Sequence, residues 1–203
     1  MSKDLYEGLV SAPQSPDAAT IFAFHGTGGS EHQFYELAKE LLPGAGVVSP
    51  RGDVSEMGAA RFFRRTGEGV YDMDDLNRAV EKMAAYVAAH RGEGPVYGFG
   101  YSNGANILAA LVMAHPDLFD RVGLLHPLIP WDPAPIDLSG KKVLITAGRR
   151  DPITPWAESQ KLLRWFADQG ADVGQLVHEG GHELVRDEVV ALHGLLNGTV
   201  VAA

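Results

Sequence analysis

Short apolar runs alternate along most of the chain with segments whose apolar residues recur every three or four positions. Residues 20–25 (TIFAFH), 46–49, 96–99, 122–125, 143–146 and 173–177 have strand length and strand composition, and turn residues end several of them. Between them, residues 31–42 place Phe34, Leu37 and Leu41 on one stripe, and residues 74–90 do the same with Leu76, Val80, Met83 and Val87. Residues 103–115 turn Ile107, Leu108, Leu111 and Val112 inward, and helices over 156–168 and 183–196 complete the series. Strands joined by crossover helices predict an α/β fold with a mostly parallel sheet covered on both faces. Residues 51–72 lack periodicity and predict a long loop with a helical turn. The proline-rich residues 127–135 predict a pocket rim. No linker, repeat or low-complexity stretch divides the chain, so one domain spanning residues 1–203 is expected.

Bulk properties narrow the function classes. At 203 residues the chain is long enough to bury a sizeable core. A formal net charge of −9 opposes binding to nucleic-acid phosphates. The absence of cysteine excludes disulfides, zinc–thiolate sites and a cysteine nucleophile, and it is compatible with a cytoplasmic protein. The charge-free stretch 94–116 is too rich in glycine, asparagine and serine for a membrane span, and reads as strand, turn and buried helix.

Chemistry enters at that turn. Gly100-Tyr101-Ser102-Asn103-Gly104 fits G-x-S-x-G between an apolar strand and an apolar helix. A serine on such a turn is held out at the carboxyl end of a sheet, and the small flanking residues relieve its crowding. A hydroxyl needs a base and an orienting acid to become a nucleophile. Asp151 follows the strand 143–146, and His182 follows the strand 173–177 through Glu179-Gly180-Gly181. Both therefore fall on the same sheet edge as Ser102, in the chain order Ser, Asp, His. The glycine-rich run from His25 to Ser30 (HGTGGS) follows the first strand. Thr27 there and Asn103 after the serine are expected to supply backbone N–H donors to an oxyanion, with His25 as a structural residue.

On HGTGGS, Ser49-Pro50-Arg51-Gly52, the GFGYSNGAN elbow, GRRDPITP and EGGHEL, the chain resembles the α/β-hydrolase superfamily. Within it, the small carboxylesterase, phospholipase and acyl-protein thioesterase-like group related to dienelactone hydrolases is the most similar. The resemblance runs from about residue 20 to 193. It implies an α/β-hydrolase fold without a large lid domain and cofactor-free hydrolysis of esters or thioesters. Asn103 stands where thioesterase-like members carry glutamine, and Thr27 where they carry an aliphatic residue.

Two other patterns carry less. His178-Glu179-Gly180-Gly181-His182 spells a zinc motif, but that motif needs a helix and a Gly-Gly pair opposes one. Gly98, Gly100 and Gly104 imitate a dinucleotide fingerprint, yet no ribose-binding acid ends the next strand. Neither a metal nor another cofactor is expected. About twenty residues separate the strands 122–125 and 143–146, too few for a large lid, so an open site for small or short-chain esters is expected. Its wall candidates are Phe62, Phe63, Trp131 and Ile153. Activity through His182 should fall as pH drops through the ordinary histidine range of about 6–7. A thioesterase, a lysophospholipase, a lactonase and a non-catalytic ligand-binding protein of the same fold are the rival readings. The expected partner is a small-molecule ester, and a homodimer stays open.

Overall fold

The computed structural model describes residues 5–199. The chain begins with β1 (Gly8–Ser11), β2 (Thr20–Phe24), α1 (Tyr35–Leu41) and β3 (Gly46–Pro50). Two small hairpins follow, β4 (Val54–Glu56) with β5 (Ala59–Arg61) and β6 (Arg65–Gly67) with β7 (Val70–Tyr71). Next come α2 (Met73–His90), β8 (Val96–Tyr101), α3 (Asn103–Ala114) and β9 (Arg121–Leu125). The last elements are β10 (Lys142–Gly148), α4 (Trp156–Asp168), β11 (Asp172–His178) and α5 (Arg186–Asn197).

Seven strands form the central sheet in the order β1-β3-β2-β8-β9-β10-β11. All neighbours are parallel except β1, which pairs antiparallel with β3 at one edge. Every residue of β2 and β3 is buried, as continuous apolar runs covered on both faces require. Alternate side chains serve opposite faces. Phe22, Leu124 and Ile145 pack with α2, α3 and α4, whereas Ile21, Phe99 and Leu144 pack beneath α1 and α5. Each such fully buried side chain stabilises the fold by about 1.5–3 kcal/mol. Helix α3 is buried on nearly all sides, which its largely apolar sequence permits, and its buried Asn103 and Asn106 are hydrogen-bonded. Asp72 caps α2 by accepting the Asp75 N–H at 3.1 Å.

The expected helices and parallel strands are present with end shifts of a few residues. Residues 51–72 differ: they form the two hairpins rather than a loop with a helical turn. Met57 (φ 49°) and Gly58 (φ 89°) make the two-residue connection of the first hairpin, a left-handed pair that usually announces itself as Asn-Gly. Strands of two or three residues are too short to show a period. Residues 126–141 between β9 and β10 hold no helix or strand, so no lid domain is inserted there. Among the described residues, no helix is long and apolar enough to cross a membrane.

Candidate active site

Strand β8 ends in a sharp turn at Ser102, whose φ of 52° and ψ of −117° lie where residues with side chains rarely go. Only glycines fit beside it. A Cβ on Gly100 would come 2.5 Å from the Gly104 backbone, and one on Gly104 would strike the Phe24 carbonyl. The Ser102 N–H donates to Leu125 O at 2.9 Å and ties the turn to β9.

Three residues distant in sequence meet here. The Ser102 hydroxyl lies 2.9 Å from His182 Nε2, and His182 Nδ1 lies 2.6 Å from Asp151 Oδ2. A carboxylate can only accept, so the Nδ1 proton faces Asp151 and Nε2 is free to accept from the serine. The Asp151 side chain is fully buried. Burial alone would raise its carboxyl, but the Thr154 N–H, His182, His126 and the Ile153 N–H hold it below the usual aspartate range. The two N–H groups reach Oδ1 at 2.9 and 2.8 Å.

The loops carrying the acid and the base are locked together. Beyond the β10–β11 ladder, Arg149 N–H donates to His178 O at 2.8 Å and Arg150 N–H to Gly180 O at 2.9 Å. Gly148 sits so close to Gly181 that a Cβ there would overlap its carbonyl. From the other side, the Tyr101 hydroxyl donates to His182 O at 2.6 Å, with its ring 5.3 Å from the imidazole.

Thr27 and Asn103 both line the cleft at Ser102, and neither backbone N–H donates to a protein acceptor among the described residues. Asn103 opens α3, where N–H groups lack helical partners and the helix dipole favours negative charge. The hairpins hold this region. Gly28 N–H donates to Ala60 O at 2.9 Å, and Arg61 Nη1 donates to Thr27 Oγ1 at 2.8 Å. Phe62 N–H donates to Asn103 Oδ1 at 2.8 Å. His25 joins Gly26 O (2.7 Å) to the Gly52 N–H (2.9 Å) and is nearly unexposed, a structural role; burial pushes its ionisation down.

The cleft has a volume of about 280 Å³ and includes Arg61, Arg65, Tyr71, Tyr101, Leu128, Ile153 and Thr154 around the serine and histidine. Of the four wall candidates only Ile153 lines it. Phe62 and Phe63 are completely buried, packed on Phe24 and His25 and on Tyr71 respectively, and the Phe62 N–H bond to Asn103 Oδ1 turns this segment inward. Trp131 leans on Tyr71 and faces a separate groove beside α4. Sequence reasoning passes over Tyr101 and the buried pair His126 and Glu188, and leaves Arg61 open between a structurally paired residue and a substrate contact. The His-Pro step closing β9 at the active edge was the available signal for His126.

Two clusters bring metal-binding residue types together, His126–Asp151–His182 and His126–His178–Glu188. In the first, both imidazole nitrogens facing Asp151 must carry protons, because Asp151 accepts from them. In the second, His178 Nδ1 accepts the Gly180 N–H at 3.0 Å, so its proton sits on Nε2, the nitrogen turned to the cluster. In both clusters these protons would have to leave before a metal could bind. His178 ends β11 and residues 179–182 leave it as a loop, without the helix a zinc motif requires.

No family model matches the chain. It is 36% identical over 174 residues, 83% of this chain and 87% of the relative, to MhqD of Bacillus subtilis (strain 168), a hydrolase by name. Among solved structures, protein Atu2452 of Agrobacterium tumefaciens str. C58 is 48% identical, with a TM-score of 0.94 over 98% of this chain and 100% of that one. The Bacillus cereus carboxylesterase is 30% identical, with a TM-score of 0.91 over 98% and 97% of the two chains. The chain belongs to the α/β-hydrolase superfamily, in its small carboxylesterase and phospholipase group, and is a hydrolase.

Proposed function

We propose that this hydrolase cleaves small or short-chain carboxylic esters through an acyl-enzyme on Ser102. The observation that carries the reading is the hydrogen-bonded line from Ser102 through His182 to Asp151 at the open edge of the sheet. His182 Nε2 takes the hydroxyl proton as Ser102 Oγ bonds to the ester carbonyl carbon, and the carbonyl π electrons move to its oxygen. The N–H groups of Thr27 and Asn103 receive that oxyanion, a contribution of about 3–4 kcal/mol per donor. Collapse expels the alkoxy group, which takes the proton from His182. Water then attacks the acyl-enzyme with His182 again as base, releasing the acid and restoring the serine. Asp151 keeps the imidazole in the required tautomer throughout.

The lidless, solvent-accessible cleft supports compact acyl groups, and the similar Bacillus cereus protein is a carboxylesterase. Steady-state hydrolysis of a p-nitrophenyl ester series tests this. Acetate and butyrate should be preferred, and Ser102→Ala should lose about 10³-fold or more in kcat. A preference for long acyl chains would remove the small-ester assignment. Unchanged turnover by Ser102→Ala would remove the serine mechanism.

A further inference from the structure

Asp151 has a second imidazole behind it. His126 Nδ1 lies 2.9 Å from the same Oδ2 that receives His182, and its Nε2 lies 3.0 Å from Glu188 Oε1. The side chains of His126, Asp151 and Glu188 are all fully buried. Glu188 is fixed from α5, where Oε2 accepts the Val185 N–H at 2.7 Å. The His126 backbone adopts a φ of 52°, a left-handed conformation that aims the ring between the two acids. The mechanism above has no use for such a residue.

We propose that His126, held as an imidazolium between Asp151 and Glu188, is a positioning residue that fixes the Asp151 carboxylate against His182 and sets the pH range in which His182 works. This rests on the serine-hydrolase reading above. Two arguments support it. Asp151 receives four donors, two N–H groups on Oδ1 and two imidazoles on Oδ2, so the carboxylate cannot rotate away from His182. A cation in the middle also balances the charges. With its Nδ1 proton facing Asp151, the ring meets an ionised Glu188, 3.0 Å from Nε2 in an ion pair not aligned as a hydrogen bond, without lone-pair repulsion only if Nε2 is protonated too. The trio then has one net negative charge, matching the single positive charge His182 gains in the reaction. With His126 uncharged, the negative field on His182 would be larger.

The groups facing His126 come from every element around it. They are Asp151 after β10, Glu188 on α5, His178 at the end of β11, His182 and Glu183 in the following loop, and Tyr101 from β8. Burial disfavours charge on His126, but Glu188 and Asp151 outweigh it and raise its ionisation.

His126→Asn tests the idea in the full-length protein. Asparagine tolerates the left-handed backbone and can still donate to Asp151, but it carries no charge and does not reach Glu188. The acid limb of kcat/KM should move up by about half to one pH unit, and kcat should fall about tenfold with KM little changed. In an Asp151→Asn background the same change should cost almost nothing further, because its effect passes through Asp151. An unmoved acid limb with additive losses would mean that His126 only supports the fold. If Ser102→Ala is inactive while His126→Asn keeps the wild-type profile, only the role of His126 is lost; an active Ser102→Ala removes the reading beneath it. Histidine ¹⁵N NMR of the wild-type protein tests the charge without substitution. Both ring nitrogens of His126 should be protonated at pH 7, and a neutral ring would overturn the proposal.

Discussion

The hydroxyl of Tyr101, the residue before the candidate nucleophile, donates to the backbone carbonyl of His182, the candidate base, at 2.6 Å. One strand end thus presents the candidate nucleophile's hydroxyl and fixes the loop that carries the candidate base. The variable second position of the G-x-S-x-G turn has a structural task in this chain.

Tyr101→Phe should loosen the histidine loop without changing the chemistry. A net hydrogen bond of about 1 kcal/mol corresponds to roughly a fivefold loss in kcat and a melting temperature lower by about 2–4 °C. Steady-state kinetics on p-nitrophenyl acetate with thermal unfolding checks both. Wild-type kcat would mean that the loop is held by the backbone ladder alone.

Gly148→Ala should separate acid from base. Its new methyl group would overlap the Gly181 carbonyl, forcing apart the loops that carry Asp151 and His182. Overpacking of this kind costs about 1–3 kcal/mol. Activity should drop at least tenfold, roughly the effect of 1.4 kcal/mol or more on the barrier. A variant with normal activity and stability would show that these loops absorb the methyl group.

Arg61→Gln should act on the oxyanion side. The guanidinium holds Thr27 Oγ1 at 2.8 Å and Phe63 O at 3.3 Å, and it pairs with Glu56 at 3.3 Å, nearly out of contact with solvent. Without it the Thr27 side chain loses its anchor to the first hairpin, and only the Gly28–Ala60 backbone bond still ties the loop there. Displacing one oxyanion donor costs up to 10²–10³ in kcat when complete, so a partial displacement should cost about tenfold. The expected signature is lower kcat with nearly constant KM. A rise in KM alone would instead make Arg61 a substrate-binding group.

Stability should respond to pH from both sides. His126 is raised above its ordinary 6.5, so its contribution is fully present below that value and is lost as pH rises through the raised one. Glu188 is lowered, because His126, Thr146 and the Val185 N–H outweigh the burial that would raise it; Asp151 is lowered as well. Their contribution is present above about 4.5 and is lost as pH falls through the lowered values. Buried His25, whose ionisation is pushed down, adds a loss of stability as pH falls below 6.5, so the melting temperature should be highest near the upper end of the range from about pH 4.5 to 6.5 and decline on either side. His126→Asn should flatten the alkaline decline; an unchanged alkaline slope would contradict a charged His126.

Much of this was legible in the chain. Apolar runs covered on both faces, such as Phe22 to Phe24, and strongly periodic helices, such as the one carrying Leu76 and Met83, announce themselves through burial. Ser102, Asp151 and His182 were legible because each follows a strand at the same edge, and topology alone brings them near. The hairpins were hidden because their strands are too short for a period and Met57-Gly58 is an unusual turn pair. Phe62 and Phe63 were placed at the wall because an aromatic residue in an aperiodic segment gives no sign of its facing direction; long-range anchors such as Phe62 N–H to Asn103 decide it. His126 and Glu188 meet across 62 positions, from a strand end and a helix with no shared motif (126 to 188).

Labelling with a fluorophosphonate probe tests the central claim most directly. The wild-type protein should react at one site, located at Ser102 by peptide mass spectrometry, and labelling should be lost in Ser102→Ala and slowed strongly in His182→Ala. A folded wild-type protein that stays unlabelled, or one labelled equally well after Ser102→Ala, would contradict the account.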